Sequence, residues 1–317
     1  MADTSLTRSG WVLRPIPPEP RSIVELIGAG TIDADLAATV WLLVDGRVPV
    51  VVAGDGSGVG KTTLLRALLD FVPPEQRVVE LRGVDETFDW LPQASELGCP
   101  GVPVRPEGAP VRPESTVIVA PELSDHTPAY TWGEAARIAV RAAALGYGFA
   151  ATIHGDSLDD VLASLRANPV RLVDDELSRL GVVLVLRRVD RERRRVVAAH
   201  YLRPVARDVH GHVQRQGPAV LATWDPAADA FEQFGWGVTP ELALRVGMRA
   251  GDFEIEQDSR RAFLEDLVRR GIDGVDAVHQ AIADYRAGSI AGTTPAAPPA
   301  SHAGHAGHVH DPSPPLH

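Results

Sequence analysis

Lysine is all but missing from this sequence: of 31 basic residues, thirty are arginine and one, Lys61, is lysine. Cysteine is as scarce. Cys99 stands alone, so no disulfide can form within the chain, and a reducing compartment is the expected setting. No stretch approaches the roughly 18 uninterrupted apolar residues that a membrane-spanning helix needs. The start, Met1-Ala2-Asp3-Thr4-Ser5, lacks the charged and apolar run of a signal peptide. A surplus of positive charge is also absent. The formal net charge is −11, which disfavours a duplex-binding role, and no direct nucleic-acid contact is expected.

What remains is an ordinary globular composition, 44% hydrophobic and 23% charged over 317 residues. That is enough for about two domains, while 26 prolines and 29 glycines imply many loops. Residues 1–20 read as irregular, since Pro15, Pro17, Pro18 and Pro20 oppose a helix. Helical spacing follows at Ser22–Gly28 and from Asp33 to about Val44, with Leu36, Val40, Leu42 and Leu43 expected to be buried. Val48–Ala53, Arg77–Leu81, Val117–Ala120 and Phe149–Ile153 are apolar runs of strand length; helical patterns at Thr62–Phe71, Gly133–Leu145 and Leu158–Ala167 separate them. Such alternation predicts an α/β fold with a mostly parallel sheet covered by helices. Val182–Leu186 and Val196–Leu202 flank the charged run from Asp190 to Arg195 and predict a hairpin with a solvated tip. The expected organisation is an irregular segment (1–20), a nucleotide-binding core (21–204), a small region of strands and helices (205–288) and a disordered tail (289–317). His302, His305, His308, His310 and His317 in that tail predict adventitious metal affinity but no closed site.

The one lysine falls inside Gly54-Asp55-Gly56-Ser57-Gly58-Val59-Gly60-Lys61-Thr62-Thr63, between a predicted strand and a predicted helix. A phosphate-binding loop needs successive backbone N–H groups converging above a helix N-terminus, and a lysine as a compact point charge. Gly56, Gly58 and Gly60 supply the backbone freedom. Gly60, Lys61 and Thr62 complete the expected Gly, four residues, Gly-Lys-Thr pattern, although Asp55 occupies its first position. Gly56, Ser57, Gly58, Val59, Gly60, Lys61, Thr62 and Thr63 are therefore the predicted ATP-binding residues, with Lys61 on the β- and γ-phosphates and Thr62 on Mg²⁺.

Several segments, in order, resemble the type II/type IV secretion-system ATPase superfamily, most of all its archaeal-type and tight-adherence-type pilus ATPases. Phe71-Val72-Pro73-Pro74-Glu75-Gln76-Arg77-Val78-Val79 is similar to their F-I-P-P-x-x-K-I-V. Arg112-Pro113-Glu114 and Val117-Ile118-Val119-Ala120-Pro121-Glu122 are similar to R-P-D-x-I-I-V-G-E, and Ala151-Thr152-Ile153-His154-Gly155-Asp156-Ser157 to T-T-I-H-A-x-S. The resemblance covers about residues 20–288 and does not include the family's large N-terminal domain. It implies a RecA-like P-loop NTPase fold, ATP and Mg²⁺, a homohexamer, and an inner-membrane platform protein as partner. The setting it implies is cytoplasmic or peripheral at the inner face of the membrane. Residue by residue, it implies that Glu122 polarises the attacking water and that His154 reads the γ-phosphate. Glu86 matches an acidic position, and Arg112 stands as an arginine acting in trans, with Arg105 beside it. Two departures point toward a subunit that binds nucleotide without turning it over. Arg82-Gly83 stands where the family has an acidic pair, and Leu123-Ser124-Asp125 replaces the arginine after the strand-end glutamate. The expected function is an ATP-hydrolysing motor subunit of a secretion or pilus-like machine. A hydrolysis-deficient regulatory or structural subunit of such a machine is the alternative.

Overall fold

The computed structural model describes residues 20–99, 111–207, 210 and 212–292. Arg105, most of the irregular N-terminal segment and nearly all of the His-bearing tail lie outside the described residues. Internal contacts group Met1–Gln280 as one compact unit and Ala281–His317 as another.

Two helices lead in, α1 (Ile23–Gly28) and α2 (Ala34–Asp45). Each starts where a side chain takes up an otherwise unpartnered backbone N–H: Ser22 Oγ accepts from Glu25 at 3.0 Å and Asp33 Oδ1 from Leu36 at 2.9 Å, caps that contribute about 1 kcal/mol each. The alternating core follows: β1 (Val50–Ala53), α3 (Lys61–Leu69), β2 (Arg77–Glu80), β3 (Thr116–Leu123), α4 (Gly133–Ala144), β4 (Gly148–Ile153), α5 (Leu158–Arg166), the short α6 (Asp174–Leu177) and β5 (Val182–Arg188). Then come β6 (Arg194–Tyr201), the two-residue pair β7 (Ala206–Arg207) and β8 (Val213–Gln214), β9 (Ala219–Asp225) and β10 (Ala230–Gln233). The helices α7 (Thr239–Arg245), α8 (Ala250–Arg270) and α9 (Val275–Gly292) complete the described chain.

The main sheet has eight strands in the order β10-β9-β6-β5-β1-β4-β3-β2. The block β5-β1-β4-β3-β2 is entirely parallel, as the strand–helix alternation predicts. β6, β9 and β10 extend it antiparallel through two hairpins. The strands on either side of Trp224-Asp225-Pro226, which the sequence places in a separate C-terminal region, thus hydrogen-bond into the same sheet. β1, Val50-Val51-Val52-Ala53, is buried throughout, because helices cover both faces of its position. On one side α2 buries Trp41, which stacks on Phe71 at 4.9 Å between ring centroids. The Arg260 guanidinium of α8 lies 4.8 Å over the same indole and donates to Asp45 at 2.6 Å. Among the described residues, no helix is long and apolar enough to cross a membrane.

Candidate nucleotide site

Register sets the site. Ala53 pairs with Ile153 of β4 and with Val185 of β5, and Leu123 of β3 also pairs with Ile153. Gly54, His154 and Ser124, which leave β1, β4 and β3, therefore emerge beside Leu186 of β5 at the carboxyl edge of the parallel block. That edge is where open α/β sheets hold ligands.

Gly54 has no room for a side chain: a Cβ there would meet Leu186 O at 2.6 Å. Gly56, Gly58 and Gly60 all have positive φ, Gly60 at +104° as the N-cap of α3. The loop therefore wraps the helix start with no Cβ at three of its turns. Residues 55–58 are exposed, Val59 tucks its side chain inward, and Thr62 and Thr63 are half-buried in the first helical turn. This is a RecA-like P-loop fold.

Lys61 is folded into the site. Its Nζ donates to Gly54 O at 3.1 Å and lies 3.6 Å from Glu122 Oε1, with both side chains less than a tenth exposed. Glu122 stands at the end of β3, where the ladder to β4 shifts register between Ala120 and Leu123. Pro121 is the reason, since it has no N–H to give an interior ladder. The irregularity re-aims Glu122 across the end of β4, as bulges do. Thr152 Oγ1 then lies 2.5 Å from Glu122 Oε2 and 2.5 Å from Pro121 O. The other carboxylate oxygen, Oε1, is buried with no hydrogen bond. It faces Lys61 and, at 3.5 Å, His154 Nε2. An oxygen held by charge alone, with its lone pairs free, suits it to receive a proton from water.

His154 is held below the usual imidazole pKa, chiefly by burial and then by the Lys61 charge, with Glu122 acting in the opposite sense. His126 packs edge-on against His154, with centroids 4.9 Å apart. Asp55 Oδ1 lies 4.0 Å from His154 Nδ1, and the Asp55 side chain is 68% exposed, so it does not fill the cradle of loop N–H groups. Mg²⁺ brought by a nucleotide takes one or two protein oxygens and keeps its other positions for phosphate and water. The Thr62 hydroxyl, half-buried in the first turn of α3, fits that donor set. Among the described residues, no group of three or more His, Cys, Asp or Glu could hold a metal by itself.

The structure thus brings together Lys61, Glu122 and His154 at the loop Gly56–Thr63, and it leaves two candidates elsewhere. Glu86 turns inward: its Oε1 accepts from Phe88 N at 2.9 Å and Trp90 Nε1 at 3.0 Å, and Oε2 from Arg82 N at 3.1 Å. Its side chain is 1% exposed. Arg112 is exposed before β3, four residues ahead of Thr116. Six steps along the strand, about 20 Å at 3.3 Å each, then separate Thr116 from Glu122, so Arg112 lies toward the opposite edge of the sheet from its own chain's Lys61. Thr152, His126 and Arg194 were not singled out from the sequence. Thr152 carried a signal, a polar residue inside an apolar strand. The approach of His126 to His154 left no trace in spacing.

No family model matches the chain. It is 24% identical over 261 residues to "Uncharacterized protein MJ1287" of Methanocaldococcus jannaschii, an alignment covering 77% of this chain and 91% of that one. It is 43% identical over 67 residues to "Putative conjugal transfer protein Rv3659c" of Mycobacterium tuberculosis, covering 21% of this chain and 19% of that one. Among solved structures it is similar to the VirB11 ATPase from the Brucella suis type IV secretion system in complex with sulphate, at 21% identity and TM-score 0.33, covering 70% of this chain and 57% of that one. The chain spans less than two thirds of the latter two proteins. Strand order and loop geometry, rather than that superposition, carry the fold.

Proposed function

We propose that this chain binds ATP with Mg²⁺ and hydrolyses it as a motor subunit of a secretion or pilus-like assembly machine. The observation that carries the reading is the Glu122 carboxylate, buried and re-aimed by the Pro121 irregularity, with one free oxygen 3.6 Å from Lys61 Nζ and 3.5 Å from His154 Nε2. In this reading the N–H groups from Gly56 to Thr63 cradle the phosphates, Lys61 neutralises the β- and γ-phosphates, and Thr62 takes Mg²⁺, which when bound neutralises phosphate charge. Glu122 orients the attacking water and accepts its proton. His154 hydrogen-bonds toward the γ-phosphate. Arg112 cannot serve its own chain's site and is assigned to a neighbouring copy in a homo-oligomer, a hexamer by family resemblance. The partner is an inner-membrane platform protein, and the setting is the cytoplasm or the inner face of the membrane. The mycobacterial relative named for conjugal transfer supports the transport setting.

One observation favours the hydrolysis-deficient alternative. Glu86, which matches the family's later acidic position, has both oxygens taken up by its own loop and Trp90, so it offers the site no second carboxylate. Steady-state phosphate release, measured beside oligomer mass with and without Mg²⁺-ATP, separates the two. Turnover that Glu122→Gln removes while ATP affinity persists supports the motor. Tight ATP binding with no turnover at any protein concentration supports the alternative, and no binding at all overturns both.

A further inference from the structure

Three consecutive arginines, Arg193 to Arg195, run from the hairpin tip into β6, and their surroundings differ. Arg195 is buried. Its Nε and Nη2 donate to the two carboxylate oxygens of Asp229 at 2.9 and 3.1 Å, and its Nη1 to Ala29 O at 3.0 Å. Arg193 donates from Nε to Asp190 at 2.6 Å and from Nη1 to Asp229 at 3.2 Å. Both outer arginines are therefore neutralised. Arg194 points to the other side of the ribbon, as strand alternation requires, and reaches the phosphate-binding loop: its Nη2 approaches Gly58 O at 3.4 Å and its Nη1 donates to Glu192 O at 3.1 Å. Its stem runs along Gly60, where a Cβ would stand 3.1 Å from Arg194 Cδ. Among the described residues, no carboxylate lies within ion-pairing distance of Arg194.

Position in the sheet says which part of an anion this cation would meet. β6 lies beyond β5 on one flank of β1, whereas Glu122 and His154 come from β3 and β4 on the other. A phosphate chain lying over the loop with its terminal group at Glu122 presents its inner phosphates toward the β5–β6 flank. Guanidinium groups bind phosphate oxygens through a planar fork of N–H donors, and Arg195, tied to Asp229 and Ala29, fixes the strand from which Arg194 projects. We propose that Arg194 is a phosphate-binding residue acting within its own chain, contacting the inner phosphates of a nucleoside di- or triphosphate. This inference rests on the nucleotide reading of the loop.

The test is Mg²⁺-ADP binding by calorimetry over a range of salt concentrations. It compares the full chain with Arg194→Gln, Arg194→Lys and, as a control on the same exposed tip, Arg191→Gln. The expected result is a loss of about tenfold in ADP affinity for Arg194→Gln, a shallower salt dependence, partial recovery in Arg194→Lys and no change in Arg191→Gln. A loss under fivefold in Arg194→Gln, with the unaltered protein binding ADP normally, overturns the assignment of Arg194 and leaves the nucleotide site standing. A larger loss with unchanged salt dependence also overturns it, because the arginine would then act only through loop shape. Failure of the unaltered protein to bind either ADP or ATP overturns the nucleotide reading itself. If Arg194→Gln melts well below the unaltered protein, Arg194→Lys alone decides: its fork is lost but its charge kept, so affinity equal to the unaltered protein overturns the contact.

Discussion

The turn that follows β2 and the last residues of β3 each carry a glutamate, and the two are handled in opposite ways. Glu86 sits in a loop that answers it: two backbone N–H groups and an indole N–H fill its oxygens, and Phe88 is held at φ +52° beside it. Glu122 receives one hydroxyl, from Thr152, and keeps its second oxygen buried, unbonded and facing two basic side chains. A carboxylate with both oxygens hydrogen-bonded to its own loop organises backbone. One with a free lone pair in a desolvated, positively charged setting is available for proton chemistry. Burial alone does not separate the two, since both are almost fully covered; the hydrogen-bond inventory does.

The comparison can be broken most directly at Glu122. Glu122→Gln keeps the shape and the Thr152 contact but removes the proposed base, so kcat for ATP should fall by about 10²–10⁴ with ATP affinity unchanged. Turnover within tenfold of the unaltered protein would remove Glu122 from the chemistry. At Glu86 the expected effect is structural. Glu86→Ala leaves three N–H donors without their acceptor and should lower stability to denaturant by about 2–3 kcal/mol, with kcat per folded molecule preserved. A kinetic loss without a stability loss would reverse the two roles. Thr152→Val tests how Glu122 is held: kcat should drop about tenfold and ATP affinity should stay, with Thr152→Ser restoring activity, all read in one kinetic series.

Asp70 sharpens the comparison from a third side. It too is a buried carboxylate with one unbonded oxygen, but it lies just past the far end of α3 and its other oxygen is 2.6 Å from His279. Burial raises its pKa from 3.8 to about 6, against the opposing His279 contact. A raised carboxyl favours the folded state while it is protonated, so its contribution is full below about pH 4 and is lost as pH rises through about 6. Asp70→Asn should therefore melt higher than the unaltered protein at pH 7–8, by about 1 kcal/mol once the lost contact with His279 is offset, and equally at pH 4. Matched melting curves at the two pH values check this. A difference that persists at pH 4 would mean the ionised form is not the source of the penalty.

How much of this was legible in the sequence depends on how local each interaction is. The strand, loop and helix around Lys61 are contiguous, and the apolar run and glycine spacing place them to within a residue or two. The hairpin from Val182 to Leu202 was likewise marked by its charged tip. Glu122 could be found at the end of an apolar strand, but its aim could not. That aim depends on Pro121 disturbing a ladder with β4, a partner fixed only when the sheet assembles. Thr152 and His126 meet Glu122 and His154 across strands, at separations no periodicity encodes. The arginine run read as one solvated block because alternation sorts its members only after the first residue of β6 is known. Glu86 matched an acidic position by order along the chain, and hydrogen bonds within its own loop draw its side chain inward.

The near-total replacement of lysine by arginine has a practical side. The chain has a single side-chain primary amine, and it lies at the centre of the candidate site, 6% exposed against Gly54 O and Glu122. Amine-directed chemistry that elsewhere labels a dozen surface positions here has one internal target. Isotopic dimethylation of Lys61 would give one side-chain resonance, and its shift would follow the charge beside it. Protection of that amine by added nucleotide would time the occupancy of the loop without any engineered probe.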